Sequence, residues 1–256
     1  MFPIRDHNPS GRTPYVVYTL MAANIAIYTL VFFGYDNPRN LQALYNAYAL
    51  LPAEIVAGYD LKTLITSTFL HGGWMHLGGN MLFLWIFGDN MEDEMGHLPF
   101  LGFYLLSGIG AGLIHIVSAP DSLVPLVGAS GAIAGVMGGY LLMFPKARVD
   151  ILLILVVFFR VFSIPAFIML LVWLGMQFLG GFGSDPDQGG VAYWAHAGGF
   201  AVGLVLTIPL WLKRGGPAFW NRTKGQPPHP ETNYVYSASR IPKLPRKKPT
   251  PGPWSK

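Results

Sequence analysis

No cysteine occurs in the 256 residues. That excludes a disulfide framework, a thiolate nucleophile and a cysteine metal site, and it leaves redox chemistry silent about the compartment. Charge is scarce too. Asp, Glu, Lys and Arg make up 12% of the chain and 52% is hydrophobic, against about 25% charged residues in soluble domains. A soluble domain is thereby disfavoured and a membrane protein indicated. The net charge of +4 arises in a basic C-terminal stretch, where attraction to anionic lipid is a simpler explanation than nucleic-acid binding.

What the chain does have is long runs without Asp, Glu, Lys or Arg. Six of them, 14–33, 70–88, 98–120, 122–145, 164–184 and 191–212, approach or exceed the ~20 apolar residues that span a bilayer. The expectation is an all-α polytopic membrane protein with six transmembrane helices. The segment 149–163 is also apolar but short, and it holds Arg160. It is expected not to cross, forming an interfacial or hairpin-like excursion instead. Arg5 and Arg12 precede a first run too long for a signal peptide's apolar core, so that run is expected to stay as an anchor.

Six spans sort the loops into two sides. Of the 17 Lys and Arg, all but Arg39 and Lys62 fall on the side that carries both termini. That side is expected to be cytoplasmic, in the cell membrane of a prokaryote. It also carries the acidic loop 89–97, "DNMEDEMGH". The organisation expected is a cytoplasmic N-terminus over 1–13, a membrane domain over 14–212, and a basic, Pro-rich cytoplasmic tail over 213–256, read as disordered.

Polar groups inside spans are costly and usually functional. His76 and Asn80, four apart, share one face of span two. Ser130 sits in "GASGAIAG" at the start of span four, and His196 lies near the start of span six in "AHAGGFAVG". Spans two, four and six all run from outside to inside, so these four groups fall at similar depth below the outer surface. Each alone has an ordinary structural reading: Ser130 as helix packing, Asn80 as interhelical glue, His71 and His115 as loop or helix fixtures. The shared depth favours a site. If 149–163 crossed, span six would reverse and His196 would leave Ser130.

Together these groups can do acyl-transfer chemistry. Ser130 is a weak nucleophile until a base takes its proton, and His196 is such a base. Helix-start N–H groups at Ser130, with Asn80 and His76, can hold an oxyanion. Gly128, Gly131 and Gly135 around Ser130, and the Gly199/Gly203 seam below His196, permit close helix approach. No carboxylate lies within any span, which points to a dyad rather than a triad. No histidine is followed by glutamate and no GxGD occurs; zinc and aspartyl intramembrane chemistry lack their residues. No internal repeat suggests a transporter. No metal or cofactor is called for.

At these residues the sequence resembles the rhomboid intramembrane serine proteases. It carries GxSG as "GASG" with Ser130, AHxxGxxxG as Ala195, His196, Gly199 and Gly203, and HxxxxHxxxN as His71, His76 and Asn80. The stretch "EDEMGHLPFLGFYLLSGIGAG" is similar as well, and the likeness covers roughly 14–212. It implies six helices around a water-filled cavity open to the outside. Ser130 would be the nucleophile, His196 the base, and His76, Asn80 and the Ser130 N–H the oxyanion donors. Substrates would be single-pass membrane proteins entering beside span five, near Trp173 and Phe178. The alternative is a weak or inactive relative that only binds transmembrane clients. Two positions depart from the family. Many members have a Trp-Arg pair in the first outer loop, where this chain has Lys62 as the nearest basic residue. Many also place a tyrosine, stacked on the base, where this chain has Ala134.

Overall fold

The computed structural model describes residues 2–155, 158–185 and 188–228. Helices dominate. Among the described residues, four are long and apolar enough to cross a membrane: α1 (Tyr15–Gly34), α6 (His97–Ser118), α8 (Ala166–Gly183) and α9 (Tyr193–Lys213). The chain is an integral membrane protein on that ground. Between α1 and α6 come α2 (Pro38–Tyr48), α3 (Pro52–Val56), α4 (Thr63–Thr66) and the 22-residue α5 (Trp74–Met95). The apolar α7 (Ser130–Met143) has 14 residues, about 21 Å at 1.5 Å per residue, less than the ~30 Å of bilayer hydrocarbon.

α7 is the hub. Every residue from Gly131 to Tyr140 is buried, because α5, α6, α8 and α9 all pack around it. A helix so enclosed needs no apolar stripe, and its side chains are small or apolar all round. Larger side chains fill the rest of the core: Phe87, Met91, Phe100, Tyr104, Tyr140 and Phe144 are essentially inaccessible.

The all-α expectation needs correction. Three strands, β1 (Phe2–Asp6), β2 (Arg148–Leu155) and β3 (Phe158–Pro165), form an antiparallel sheet in the order β1-β2-β3. The short apolar segment 149–163 is therefore extended and paired, with Val149 opposite Ile164 and Ile151 opposite Phe162. Its Val, Ile and Phe content suits a pleated surface. β1 adds residues 2–6 of the N-terminus as the third strand.

The loop expected at 89–97 is instead the end of α5. Its acidic residues continue the helix to Met95, and Gly96, at φ 82°, ends it. These acids have structural partners. Glu92 is buried and accepts from the Val16 and Val17 N–H groups at 2.9 and 2.8 Å, at the positive end of α1. It also receives His97 Nδ1 at 2.5 Å, while Glu94 pairs with Arg214 at the foot of α9. The tail expected over 213–256 begins with structure: α10 (Pro217–Thr223) folds back, and Trp220 donates to the Leu142 carbonyl at 2.9 Å. The rest of that tail, from 229 onward, lies outside the described residues.

Two carboxylates in the sheet region pull stability in opposite directions with pH. Asp150 is buried under Arg5 (2.7 Å), His7 (2.8 Å) and Ser163, which all donate to it. Burial alone would raise its pKa, but the hydrogen bonds from Ser163, Arg5 and His7 outweigh burial and hold it below the usual carboxylate range. Its stabilisation is present above the unfolded pKa and lost as pH falls through the folded one. Asp6 is the reverse. Burial, reinforced by Asp89, pushes it well above the usual range; its contribution is present below the unfolded pKa and lost as pH rises through the folded one. Asp150→Ala should therefore cost about 3–5 kcal/mol near neutral pH. Asp6→Asn, which still accepts from Tyr140 Oη (2.6 Å), should leave acid stability unchanged and raise stability near neutrality. Thermal unfolding in detergent, scanned from about pH 3 to 8, checks both.

Candidate active site

The approach to Ser130 is held by backbone. Leu50 and Leu126 exchange hydrogen bonds at 3.1 and 2.8 Å, and Gly128 N–H donates to the Ser67 carbonyl at 2.9 Å. Gly128 has φ +126°, and a Cβ there would lie 2.7 Å from the His76 ring. Conformation and space both require glycine. The chain then turns into α7 with Ser130 as its first residue. The N–H groups of that first turn have no acceptor within the helix.

α9 crosses α7 at backbone distance. A Cβ on Gly199 or Gly203 would sit inside the van der Waals shell of the Gly131 or Gly135 carbonyl oxygen, and one on Gly138 would strike the Phe200 carbonyl. α6 closes on the same seam, presenting Ala111 and Ser107 to Gly131 and Gly135, with Ala111 also against Gly199. This seam, made of small residues, puts the fourth residue of α9, His196, beside the first residue of α7. His196 Nε2 lies 2.8 Å from Ser130 Oγ.

The other ring nitrogen is also engaged. His196 Nδ1 lies 2.9 Å from Gln177 Oε1, and Gln177 Nε2 donates to the Trp173 carbonyl at 2.9 Å. The Trp173 ring faces the imidazole, with centroids 5.8 Å apart and planes inclined by 32°, and continues to Phe200 at 6.2 Å. An aromatic ring thus flanks the base from α8, while position 134 on α7 is a buried alanine. Sequence reasoning missed Gln177. The signal was there: it is the only amide in the charge-free run 164–184, but a search for charge passes over an amide. Trp173 was assigned to a substrate gate, and it lies against the base. Phe178, assigned with it, is exposed and packs edge-on to Trp194, with centroids 6.1 Å apart.

A cavity of about 610 Å³ adjoins the pair, lined by His76, Asn80, His115, Ser130, Trp173 and His196 among others. Asn80 on α5 is buried, and its Nδ2 has no hydrogen-bond partner among the described residues. His76 lies between Gly128 and His71; the two histidine rings meet at 5.2 Å. His71 is buried behind His76, off the cavity lining. Lys62, in the first long connection, pairs with Asp60 at 3.1 Å and sits 6.0 Å from the Tyr48 ring centroid. No group of three or more metal-ligating side chains occurs among the described residues.

A family model described as a Rhomboid domain matches residues 59–213. Rhomboid-like protein 11, chloroplastic, of Arabidopsis thaliana is 32% identical over 81% of this chain and 69% of its own length. Rhomboid protein 1, mitochondrial, of Saccharomyces cerevisiae is 31% identical over 74% of this chain, which spans 51% of that protein. Rhomboid protease GluP of Bacillus subtilis is 30% identical over 77% of this chain and 36% of its own length. The matched region runs from the connection before α4 to the end of α9 and encloses Ser130, Gln177 and His196; on these grounds the chain belongs to the rhomboid family.

Proposed function

We propose that this chain is an intramembrane serine endopeptidase that cleaves the transmembrane segments of single-pass membrane proteins. The observation that carries the reading is the 2.8 Å approach of His196 Nε2 to Ser130 Oγ at the edge of a cavity. In the reaction, Ser130 Oγ attacks the scissile carbonyl carbon as its proton passes to His196 Nε2. The carbonyl oxygen, now an anion, takes hydrogen bonds from the Ser130 N–H at the start of α7, from Asn80 Nδ2 and from His76. The C–N bond breaks as His196 returns the proton to the leaving amine. A water then attacks the acyl-serine, losing a proton to His196, and the ester C–Oγ bond breaks as His196 returns that proton to Ser130 Oγ. No metal or cofactor takes part in this scheme.

The shortness of α7 supports the placement of this chemistry inside the bilayer. A helix of about 21 Å that ended at one surface would begin well below the other. In the proposed arrangement, α5 and α7 join the four longer helices as spans. Both termini and the β1-β2-β3 sheet lie on the basic, cytoplasmic side, and the membrane is the cell membrane of a prokaryote. The substrate's helix would arrive beside α8.

An activity-based label tests the reading directly. A fluorophosphonate should modify the wild-type protein, and Ser130→Ala and His196→Ala should not be modified. Wild-type labelling no stronger than that of the two variants, with no cleavage of a membrane reporter, would leave a client-binding relative as the reading in its place.

A further inference from the structure

The structure assigns Gln177 as a positioning residue that fixes the proton on the catalytic histidine, making the site a Ser130–His196–Gln177 relay. The inference rests on the protease reading for its effect on rate, though not for the hydrogen bonds themselves.

The Trp173 carbonyl lies 2.9 Å from one end of the Gln177 amide. A carbonyl oxygen only accepts, so the amide end facing it must be the NH2 group. The end facing His196 is then the amide oxygen, which also only accepts. His196 Nδ1, 2.9 Å away, must therefore carry a proton and donate it. In the neutral ring a proton on Nδ1 leaves Nε2 with a lone pair. That lone pair faces Ser130 Oγ at 2.8 Å and accepts the hydroxyl proton. Turning the amide over would set NH2 against Nδ1 and oxygen against oxygen, so the two bonds of Gln177 enforce one orientation.

Trp173 and Gln177 are four residues apart on α8 and act on the same ring. The indole limits tilt of the imidazole, and the amide sets its rotation and tautomer. Gln177 is itself buried, where little water is at hand to replace its hydrogen bond. A carboxylate would serve the same purpose in a soluble triad. A neutral amide does so in this span without the cost of burying a charge.

The test uses full-length protein in detergent micelles or nanodiscs with nitrogen-15-labelled histidine. The His196 ring signals are identified by their loss in His196→Ala. Wild type and Ser130→Ala should both show His196 protonated at Nδ1 at neutral pH. Gln177→Leu, similar in bulk, should show a mixture of tautomers. With circular dichroism and unfolding temperature unchanged, its kcat should be lower by about 10- to 100-fold and its KM within about twofold. Gln177→Glu, which restores an acceptor at Nδ1, should recover much of that rate. A wild-type ring protonated at Nε2 overturns the assignment, and so does a folded Gln177→Leu that cleaves at the wild-type rate. Absence of cleavage by the wild type would defeat the protease reading alone, since the ring spectra still decide whether Gln177 sets the tautomer.

Discussion

Alanine at Ser130, at His196, or at both positions is expected to lower cleavage of a membrane reporter by about the same factor, on the order of a hundred-thousand-fold. The two side chains act as one unit. Without His196 the hydroxyl keeps its proton and is a poor nucleophile at neutral pH. Without Ser130 the imidazole has nothing to activate, although it remains in the seam. Each single loss therefore removes the whole effect, and the second loss has nothing left to take. What survives is the hydrogen bonding offered by Asn80, His76 and the start of α7, which needs neither residue. Single-turnover cleavage in liposomes measures all three variants. Losses that multiply in the double variant would mean that the residues act separately, and the 2.8 Å contact would not be the catalytic one.

Valine at Gly203 or Gly199 should be the most damaging change remote from the reacting atoms. A side chain at either position runs into a backbone carbonyl of α7, and backbone cannot swing aside as a flexible side chain can. Relief requires α7 and α9 to separate, which empties the best-packed seam of the bundle and pulls His196 from Ser130. The expected loss exceeds about 4 kcal/mol, the range reserved for gross overpacking. Two other helical glycines provide the contrast. A Cβ added at Gly78 on α5 or at Gly175 on α8 would meet nothing within 4 Å. Alanine there should be harmless or stabilise by up to about 1 kcal/mol through helix propensity. Unfolding temperature and fluorophosphonate labelling, read on all four variants, separate the two classes. A Gly203→Val protein that unfolds and labels like wild type would refute the tight seam.

The features that were legible in the sequence are those whose chemistry is out of place in lipid. Ser130, His196, Asn80 and His76 are polar groups in apolar runs, and one topology puts them at one depth. The structure brings Ser130 and His196 into contact and sets Asn80 and His76 along the same cavity. β1 could not be read the same way. Its partner strand lies more than 140 residues away, and the short stretch "FPIRD" carries no pattern that announces a strand; non-local pairing decides it. The helical continuation of α5 through "DNMEDEM" was obscured by treating charge as a loop signal. Glu92 is satisfied by the start of α1 and by His97, Glu94 by Arg214, and Asp93 by the Gly11 N–H. Gln177 was hidden by its neutrality, and Trp173 was legible as a bulky residue of span five but not as the ring beside the base.

The two ends of α8 are held by different kinds of contact. At its sheet end the Ala166 and Phe167 N–H groups donate to the Ala147 and Pro145 carbonyls, each at 2.8 Å. At the far end the described contacts are rings: Phe178 and Phe182 against Trp194. If such a helix tilted about its hydrogen-bonded base, its other end would move furthest. Gln177 stands about 16 Å from that pivot, at 1.5 Å per residue. A tilt of about 5° would carry it about 1.4 Å, enough to break a hydrogen bond of ordinary length. The histidine's proton is thus held from a lever arm, and the same small rotation that parted α8 from α9 would release it.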